Sequence, residues 1–149
     1  MNKEIITKNT QETKQAAQDL VKKLNEITPQ GALVLALQGE LGAGKTTFIQ
    51  GLAQALGIRE KILSPTFVIM KHFNILTSKH FNSLYHLDCY RLSGKSDLAG
   101  LGFKEILQDK KSLVVIEWAE RAADILPADA VWIKFEHGGN DKRLIKIIR

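Results

Sequence analysis

The chain has 149 residues, of which 44% are hydrophobic and 25% are charged, a composition that is typical of a globular domain and excludes a low-complexity chain. No apolar run approaches the roughly 20 residues that cross a membrane, the N-terminus lacks the apolar stretch of a signal peptide, and the lone Cys89 excludes an intrachain disulfide. We therefore expect one domain over residues 1–149, in a reducing cytoplasm and without membrane contact.

The formal net charge is +5, and two segments carry much of the excess. Residues 59–80 hold four basic residues against one acid, and residues 134–149 hold five against two. Either segment could face nucleic acid or an acidic protein, or be a solvated face beside a polyanion site. Aromatic residues are not interleaved with these basic residues, which favours the solvated face.

The N-terminal part predicts a short strand and an amphipathic helix. Residues 3–7 form the candidate strand. Asn9 and Glu12 have the spacing of a helix-capping box, and an apolar stripe follows at helical spacing. That stripe consists of Ala16, Ala17, Leu20, Val21, Leu24 and Ile27. Pro29 and Gly31 then end the predicted helix.

The next segment contains the pattern G-x-x-x-x-G-K-[ST]. An apolar run at residues 32–37 predicts a strand buried on both faces, and apolar spacing over residues 45–56 predicts a helix, with Gly57 as its C-terminal cap. In a strand–loop–helix of this kind, backbone N–H groups and the helix N-terminus bind phosphates. We expect the loop to hold a nucleotide through Gly39, Leu41, Gly42, Ala43, Gly44, Lys45, Thr46 and Thr47. Lys45 would reach the β and γ phosphates, and the Thr46 hydroxyl would bind Mg²⁺.

The rest of the chain predicts further alternating elements. Strands are expected at residues 67–70 and 83–87, joined as a hairpin, and at residues 113–116, 131–135 and 144–148. Helices are expected over residues 96–108, broken near Gly100 and Gly102, and over residues 119–126. This order predicts an α/β fold of the P-loop NTPase type, a three-layer sandwich with a largely parallel central sheet and antiparallel additions.

Two acids are candidates for the metal and for catalysis. Glu117 directly follows an apolar strand, and Asp88 follows a less apolar one. Acids at strand ends point into the crevice where open α/β sheets bind ligands, and hydrolysis of a nucleotide needs such an acid near Mg²⁺. Lys45, Asp88 and Glu117 are therefore the predicted catalytic residues, and Thr46, Asp88 and Glu117 the predicted metal ligands.

Several neighbouring residues have weaker signals. Residues 64–66 (Ser-Pro-Thr) could be a switch segment that touches the γ-phosphate, or an ordinary proline turn. Arg91 and Arg121 could stabilise a transferring phosphoryl group, but structural roles are favoured for both. For His86, Trp118 and Cys89, packing is favoured over chemistry.

Four segments in this order resemble the bacterial TsaE family, also called YjeE. They are Gly39-Glu40-Leu41-Gly42-Ala43-Gly44-Lys45-Thr46-Thr47, Ser64-Pro65-Thr66-Phe67, Tyr85-His86-Leu87-Asp88-Cys89-Tyr90-Arg91 and Glu117-Trp118-Ala119-Glu120-Arg121. The resemblance implies a small Mg²⁺-dependent ATPase that helps to form threonylcarbamoyladenosine at position 37 of tRNA. It also implies action with the TsaB–TsaD pair, where TsaD transfers the threonylcarbamoyl group and ATP hydrolysis, slow without partners, resets the assembly. Direct contact with tRNA stays open.

By matching position, the same resemblance assigns Lys45 to the phosphates, Thr46 and Glu117 to Mg²⁺, and Asp88 to the metal's side. It also places Thr10–Thr13 and Asn140–Arg143 near the adenine, with Thr10 and Arg143 as the named contacts.

Without the resemblance, a small-molecule kinase is the alternative. A kinase usually carries arginines in a lid, and the obvious lid segment, residues 93–112, contains none. A GTPase is disfavoured because the chain has no N-K-x-D segment, so the nucleotide is expected to be ATP. A nucleotide-gated binding module with little turnover is a third possibility.

Overall fold

A seven-stranded sheet lies at the centre of the computed structural model, which describes residues 1–63, 70–92 and 95–149. Within these ranges the strands are β1 Lys3–Thr7, β2 Leu33–Gly39, β3 Met70–Asn74, β4 Ser83–Asp88, β5 Ser112–Glu117, β6 Val131–His137 and β7 Arg143–Ile148. Their order across the sheet is β1-β7-β6-β2-β5-β4-β3. The four neighbours β6, β2, β5 and β4 are parallel, while β3 and β7 pair antiparallel with the strands beside them. The predicted sheet, largely parallel with antiparallel additions, is confirmed.

Helices cover both faces of this sheet. Helices α1 Thr10–Leu24 and α2 Lys45–Ala55 share one apolar cluster with alternate residues of β2, namely Leu33, Leu35 and Leu37. Helices α3 Lys95–Ala99 and α4 Phe103–Gln108 and a 3-10 helix, Ala119–Ile125, share the other cluster with Val34 and Ala36. Because successive side chains of a strand point to opposite faces, the buried residues 33–37 of β2 are all apolar. The P-loop type α/β sandwich that the sequence predicts is confirmed.

Capping residues, local hydrogen bonds and a glycine mark where the helices begin and end. Asn9 caps α1, and its side chain accepts a hydrogen bond from the Glu12 backbone N–H (2.8 Å), as the capping-box spacing predicts. Helix α1 ends at Leu24, earlier than the predicted stripe. From Glu26 onward the amides bond at i−3, and the Ile27 N–H donates to the Leu24 carbonyl. The helical region after β4 is split before Gly102, whose φ of 71° favours glycine.

The antiparallel hairpin of β3 and β4 is also observed, although residues 67–69 of its predicted first strand lie outside the described ranges. Cys89 is buried in the second cluster, and burial raises the pKa of its thiol to about 12, as expected of a packing residue. No helix in the described ranges is long and apolar enough to cross a membrane.

Parallel pairing determines where the candidate acids lie. Strands β2, β4 and β5 end at one edge of the sheet with Gly39, Asp88 and Glu117. In the pairing register Glu117 lies opposite Leu37 on one side and opposite Asp88 on the other. The first glycine of the phosphate-binding motif and both predicted acids therefore lie along one carboxyl edge.

Candidate functional site

The loop between β2 and α2 is tightly folded around glycines. Gly39 has a φ of 157°, and a Cβ placed there would lie 2.8 Å from the carbonyl oxygen of Phe135 in β6. Gly44 precedes α2 with a φ of 105° and provides no side-chain cap, and an uncapped helix N-terminus is a suitable site for an anion. The predicted loop therefore has the backbone geometry that phosphate binding needs.

Lys45 bends back over this loop. Its ammonium group donates to the carbonyl oxygens of Gly39 and Glu40, and it lies 4.0 Å from the centre of the Trp118 ring. The side chain is only 5% exposed, and burial lowers the pKa of its ammonium group. The negative charges of Glu117, Glu120 and Asp88 oppose that shift. This cation is held close to the loop by carbonyls and an aromatic face, where phosphate oxygens could replace them.

Thr46 and Glu117 join α2 to β5. The Thr46 hydroxyl donates to Oε1 of Glu117 over 3.2 Å, and Glu117 is 3% exposed. Thr46 is in the first turn of α2 and Glu117 is the last residue of β5, so each side chain is fixed by a regular element. Two oxygen groups that prefer hard cations thus lie together beside the phosphate-binding loop.

Asp88 lies next to Glu117 across the parallel pair β4–β5. Burial raises the pKa of the Asp88 carboxyl, and the neighbouring charge of Glu117 raises it further. The backbone N–H of Tyr90, which donates to Asp88 Oδ1 over 2.9 Å, acts in the opposite direction. The structure thus brings together the four residues predicted to act on phosphate and metal: Lys45, Thr46, Asp88 and Glu117.

These residues suit a magnesium ion that arrives with a nucleotide. Mg²⁺ is usually held by one or two carboxylates plus phosphate oxygens and water, without a cage made wholly of protein ligands. Within the described ranges no three His, Cys, Asp or Glu residues form such a cage. One threonine hydroxyl beside two carboxylates therefore fits magnesium, and their roles as ligands stay predictions.

The sequence did not predict the contact between His86 and Glu117. His86 is fully buried, in agreement with its predicted packing role, but its Nε2 atom also lies 2.8 Å from Oε2 of Glu117. His86 and Asp88 are two residues apart in β4 and so share one face of the sheet. That spacing was the signal in the sequence that could have placed His86 beside the acids.

A cluster of aromatic and charged side chains borders the site. Trp118 follows β5 with a φ of 56°, which aims its ring toward Lys45, and the Tyr90 ring centre lies 5.0 Å away. The Arg121 guanidinium lies 5.1 Å from the centre of the Tyr90 ring and donates to the Tyr90 carbonyl. Arg121 thus holds this wall together, in agreement with the structural role favoured for it, while Arg91 is an exposed turn residue.

Glu120 was not singled out for a role from the sequence. Its charge is among those that oppose the lowering of the Lys45 pKa by burial, and its Oε2 atom is buried with no hydrogen-bond partner among the described residues. Glu120 lies in the 3-10 helix directly after Trp118 and Ala119. The site therefore includes a third carboxylate close to the loop lysine.

The predicted adenine contacts come from the two ends of the chain. Arg143 begins β7, and a Cβ placed at Gly44 would lie 3.5 Å from Arg143 Nε, so this side chain lies against the loop. Its register partner is Thr7, and Thr10 opens α1 three residues later. The two ends thus meet at the carboxyl edge beside the loop.

The remaining predicted residues have different surroundings. Leu41 is 84% exposed at the top of the loop, Ala43 is buried, and Thr47 is partly exposed. The candidate switch segment at residues 64–66 lies outside the described ranges.

Comparison with known proteins agrees with this geometry. A family profile described as "Threonylcarbamoyl adenosine biosynthesis protein TsaE" matches residues 7–145. A protein of Bacillus subtilis (strain 168) named "tRNA threonylcarbamoyladenosine biosynthesis protein TsaE" is 37% identical over 139 residues, which is 93% of this chain and 80% of that protein. A protein of the same name from Streptomyces coelicolor is 38% identical over 124 residues, covering 83% of this chain and 80% of its own length.

A solved structure gives the same result for the fold. The crystal structure of YdiB from Bacillus subtilis superposes with a TM-score of 0.74 at 32% identity, covering 99% of this chain and 84% of that one. With a profile match over most of its length and relatives well above 30% identity, the chain belongs to the TsaE family.

Proposed function

We propose that this protein is a Mg²⁺-dependent ATPase required for forming threonylcarbamoyladenosine at position 37 of tRNA, acting in the cytoplasm with the TsaB–TsaD pair. The observation that carries the proposal is the contact between the Thr46 hydroxyl and Glu117, with Asp88 in register beside it, at the mouth of the loop around Lys45. The names of the relatives supply the pathway.

The residues divide the work between phosphate and metal. The ammonium group of Lys45 exchanges the carbonyls of Gly39 and Glu40 for phosphate oxygens, which offer it a stronger, charge-assisted interaction. The amides at the start of α2 bind the same phosphates, aided by the helix dipole. Thr46, Asp88 and Glu117 would hold Mg²⁺, which when bound neutralises charge that develops on the phosphates.

The exposure of residues around the site supports the proposal that ATP hydrolysis is slow without partner proteins. Tyr90 is 49% exposed and Leu41 is 84% exposed, so these two side chains at the mouth of the site are open to solvent. Water that is not excluded or positioned weakens electrostatic stabilisation of a transition state. A protein that covers this mouth would complete the site, which is the role we assign to the TsaB–TsaD pair.

A reconstituted modification assay tests this function. tRNA, a threonylcarbamoyl donor, the TsaB–TsaD pair and ATP are incubated with wild-type protein, Lys45→Ala, Lys79→Ala or no addition. Lys79 is an exposed lysine in the β3–β4 turn, at the edge of the sheet away from the loop, and serves as the matched control. Repeated turnover should need wild-type or Lys79→Ala protein. Equal turnover without any added protein would contradict the proposed function.

A further inference from the structure

We propose that His86 is a positioning residue that orients the Glu117 carboxylate for its metal, an inference that rests on the proposed function. The imidazole Nε2 lies 2.8 Å from Glu117 Oε2, and both residues are at most 3% exposed. The pair therefore lies away from water, where one hydrogen bond strongly restrains the orientation of a carboxylate.

The two oxygens of Glu117 have different neighbours. Oε1 accepts a hydrogen bond from the Thr46 hydroxyl over 3.2 Å, and Oε2 faces Nε2 of His86. In the proposed role His86 donates from Nε2, because a carboxylate accepts hydrogen bonds. Contacts from β4 and from α2 then restrain the plane of the Glu117 carboxylate relative to the loop.

The second nitrogen of the ring has different surroundings. His86 Nδ1 is buried and has no hydrogen-bond partner among the described residues. Within the described part of the chain, the hydrogen bond of the ring is therefore the one to Glu117. Residues that hold a metal-ligating side chain in place in this way typically change metal affinity or activity by about 10–100-fold when they are replaced.

The geometry separates two conservative substitutions. The side-chain amide of glutamine reaches about as far as Nε2 of histidine, whereas that of asparagine reaches only about as far as Nδ1. His86→Gln can therefore keep a donor to Glu117, and His86→Asn cannot. Both variants place an uncharged amide in the same buried position, so they form a matched pair.

The test measures the affinity of the protein for Mn²⁺, a spectroscopic substitute for Mg²⁺. Binding is followed by electron paramagnetic resonance in the presence of ADP. His86→Asn should weaken Mn²⁺ binding about 10–100-fold, His86→Gln should stay within about threefold of wild type, and ADP affinity without metal should be unchanged in both. Equal weakening in the two variants, or none in either, would overturn the positioning role. Thermal unfolding of both variants shows whether they are folded.

A measurement on the unaltered protein covers the case in which the variants do not fold. Long-range ¹H–¹⁵N correlation spectra of the histidine rings report which nitrogen of His86 carries hydrogen. Hydrogen on Nε2 supports the proposal, and a ring protonated on Nδ1 alone overturns it. Neither the Mn²⁺ affinity nor the histidine spectrum depends on ATP turnover. If the wild-type protein does not hydrolyse ATP, the proposed function is contradicted, but these two measurements still test the role of His86.

Discussion

Asp88 and Glu117 are register partners at the ends of two parallel strands, β4 and β5, and each is followed by a residue that leaves the sheet. Their carboxylates therefore share one edge, beside the loop that begins at Gly39. Burial raises the pKa of the Asp88 carboxyl, and the neighbouring charge of Glu117 raises it further. Two carboxylates so close together favour the binding of a cation beside them.

Lys45→Ala tests the phosphate role of the loop. The change removes a cation whose charge-assisted bonds are worth about 1.5–3 kcal/mol, which predicts a rise of about 10–100-fold or more in the dissociation constant of ATP. Isothermal titration calorimetry measures it, with Lys79→Ala as control. Unchanged ATP affinity in Lys45→Ala would remove Lys45 from the phosphate site.

Glu117→Ala separates binding from hydrolysis. Glu117 contacts Thr46 and His86 but belongs to no part of the loop that binds phosphates, so its loss should affect the metal more than the nucleotide. We expect the ATPase rate to fall about 100-fold or more while ATP affinity changes only a few-fold. Single-turnover hydrolysis and ATP binding measured on the same sample give both numbers. If hydrolysis is retained, the metal role moves to Asp88.

The raised pKa of Asp88 makes a prediction about stability. An acid with a raised pKa binds more protons when folded, so its contribution to the free energy of unfolding falls as the pH rises from the unfolded value of about 3.9. Asp88→Asn should therefore raise the thermal midpoint at pH 7, and the gain should shrink as the pH falls toward 4. Thermal unfolding followed by circular dichroism across this range measures the change.

Asp109 provides a control of opposite sign. Hydrogen bonds from the Ser112 hydroxyl (2.7 Å) and the Lys111 backbone N–H (2.9 Å) lower the pKa of its carboxyl. Its stabilisation is present above the unfolded value of about 3.9 and is lost as the pH falls through the folded value. Asp109→Asn should lower the midpoint at pH 7 and have little effect in acid. A lower midpoint for Asp88→Asn at pH 7 would contradict the account of the Asp88 site.

Gly51→Ala tests how α2 is held against α1. Alanine in a helix interior normally gains about 1 kcal/mol over glycine. A Cβ at Gly51, however, would lie 2.6 Å from the Lys14 Cα and carbonyl oxygen, which are backbone atoms of α1. We expect a net loss of about 1–3 kcal/mol in chemical denaturation. Gln54→Ala, which removes only an exposed hydrogen bond of 3.4 Å from Gln18 of α1, should stay within about 1 kcal/mol of wild type. A stabilised Gly51→Ala would contradict close packing of the two helices at this position.

Much of this site could be predicted because its parts lie at the ends of strongly apolar strands. The run that forms β2 leads directly into Gly39, and Glu117 ends an equally apolar β5. The acid positions therefore followed from hydrophobic patterning and from the tendency of parallel strands to end at one edge.

The contacts between the parts could not be read in the same way. The bond between His86 and Glu117 depends on the register between β4 and β5, which joins residues 31 apart in the chain. The position of the Trp118 ring over Lys45 depends on a positive φ that tryptophan rarely adopts. Both contacts depend on how the strands and helices pack together, and a local sequence pattern does not show that packing.

The rate of ATP hydrolysis with and without the purified TsaB–TsaD pair tests the central claim most directly. We expect slow turnover by the protein alone, a clear rise with the pair present, and no rise with Glu117→Ala. The same preparation should bind the pair in an ATP-dependent manner. A rate that the pair leaves unchanged, together with no binding, would contradict the claim that this site is an ATPase acting within that assembly.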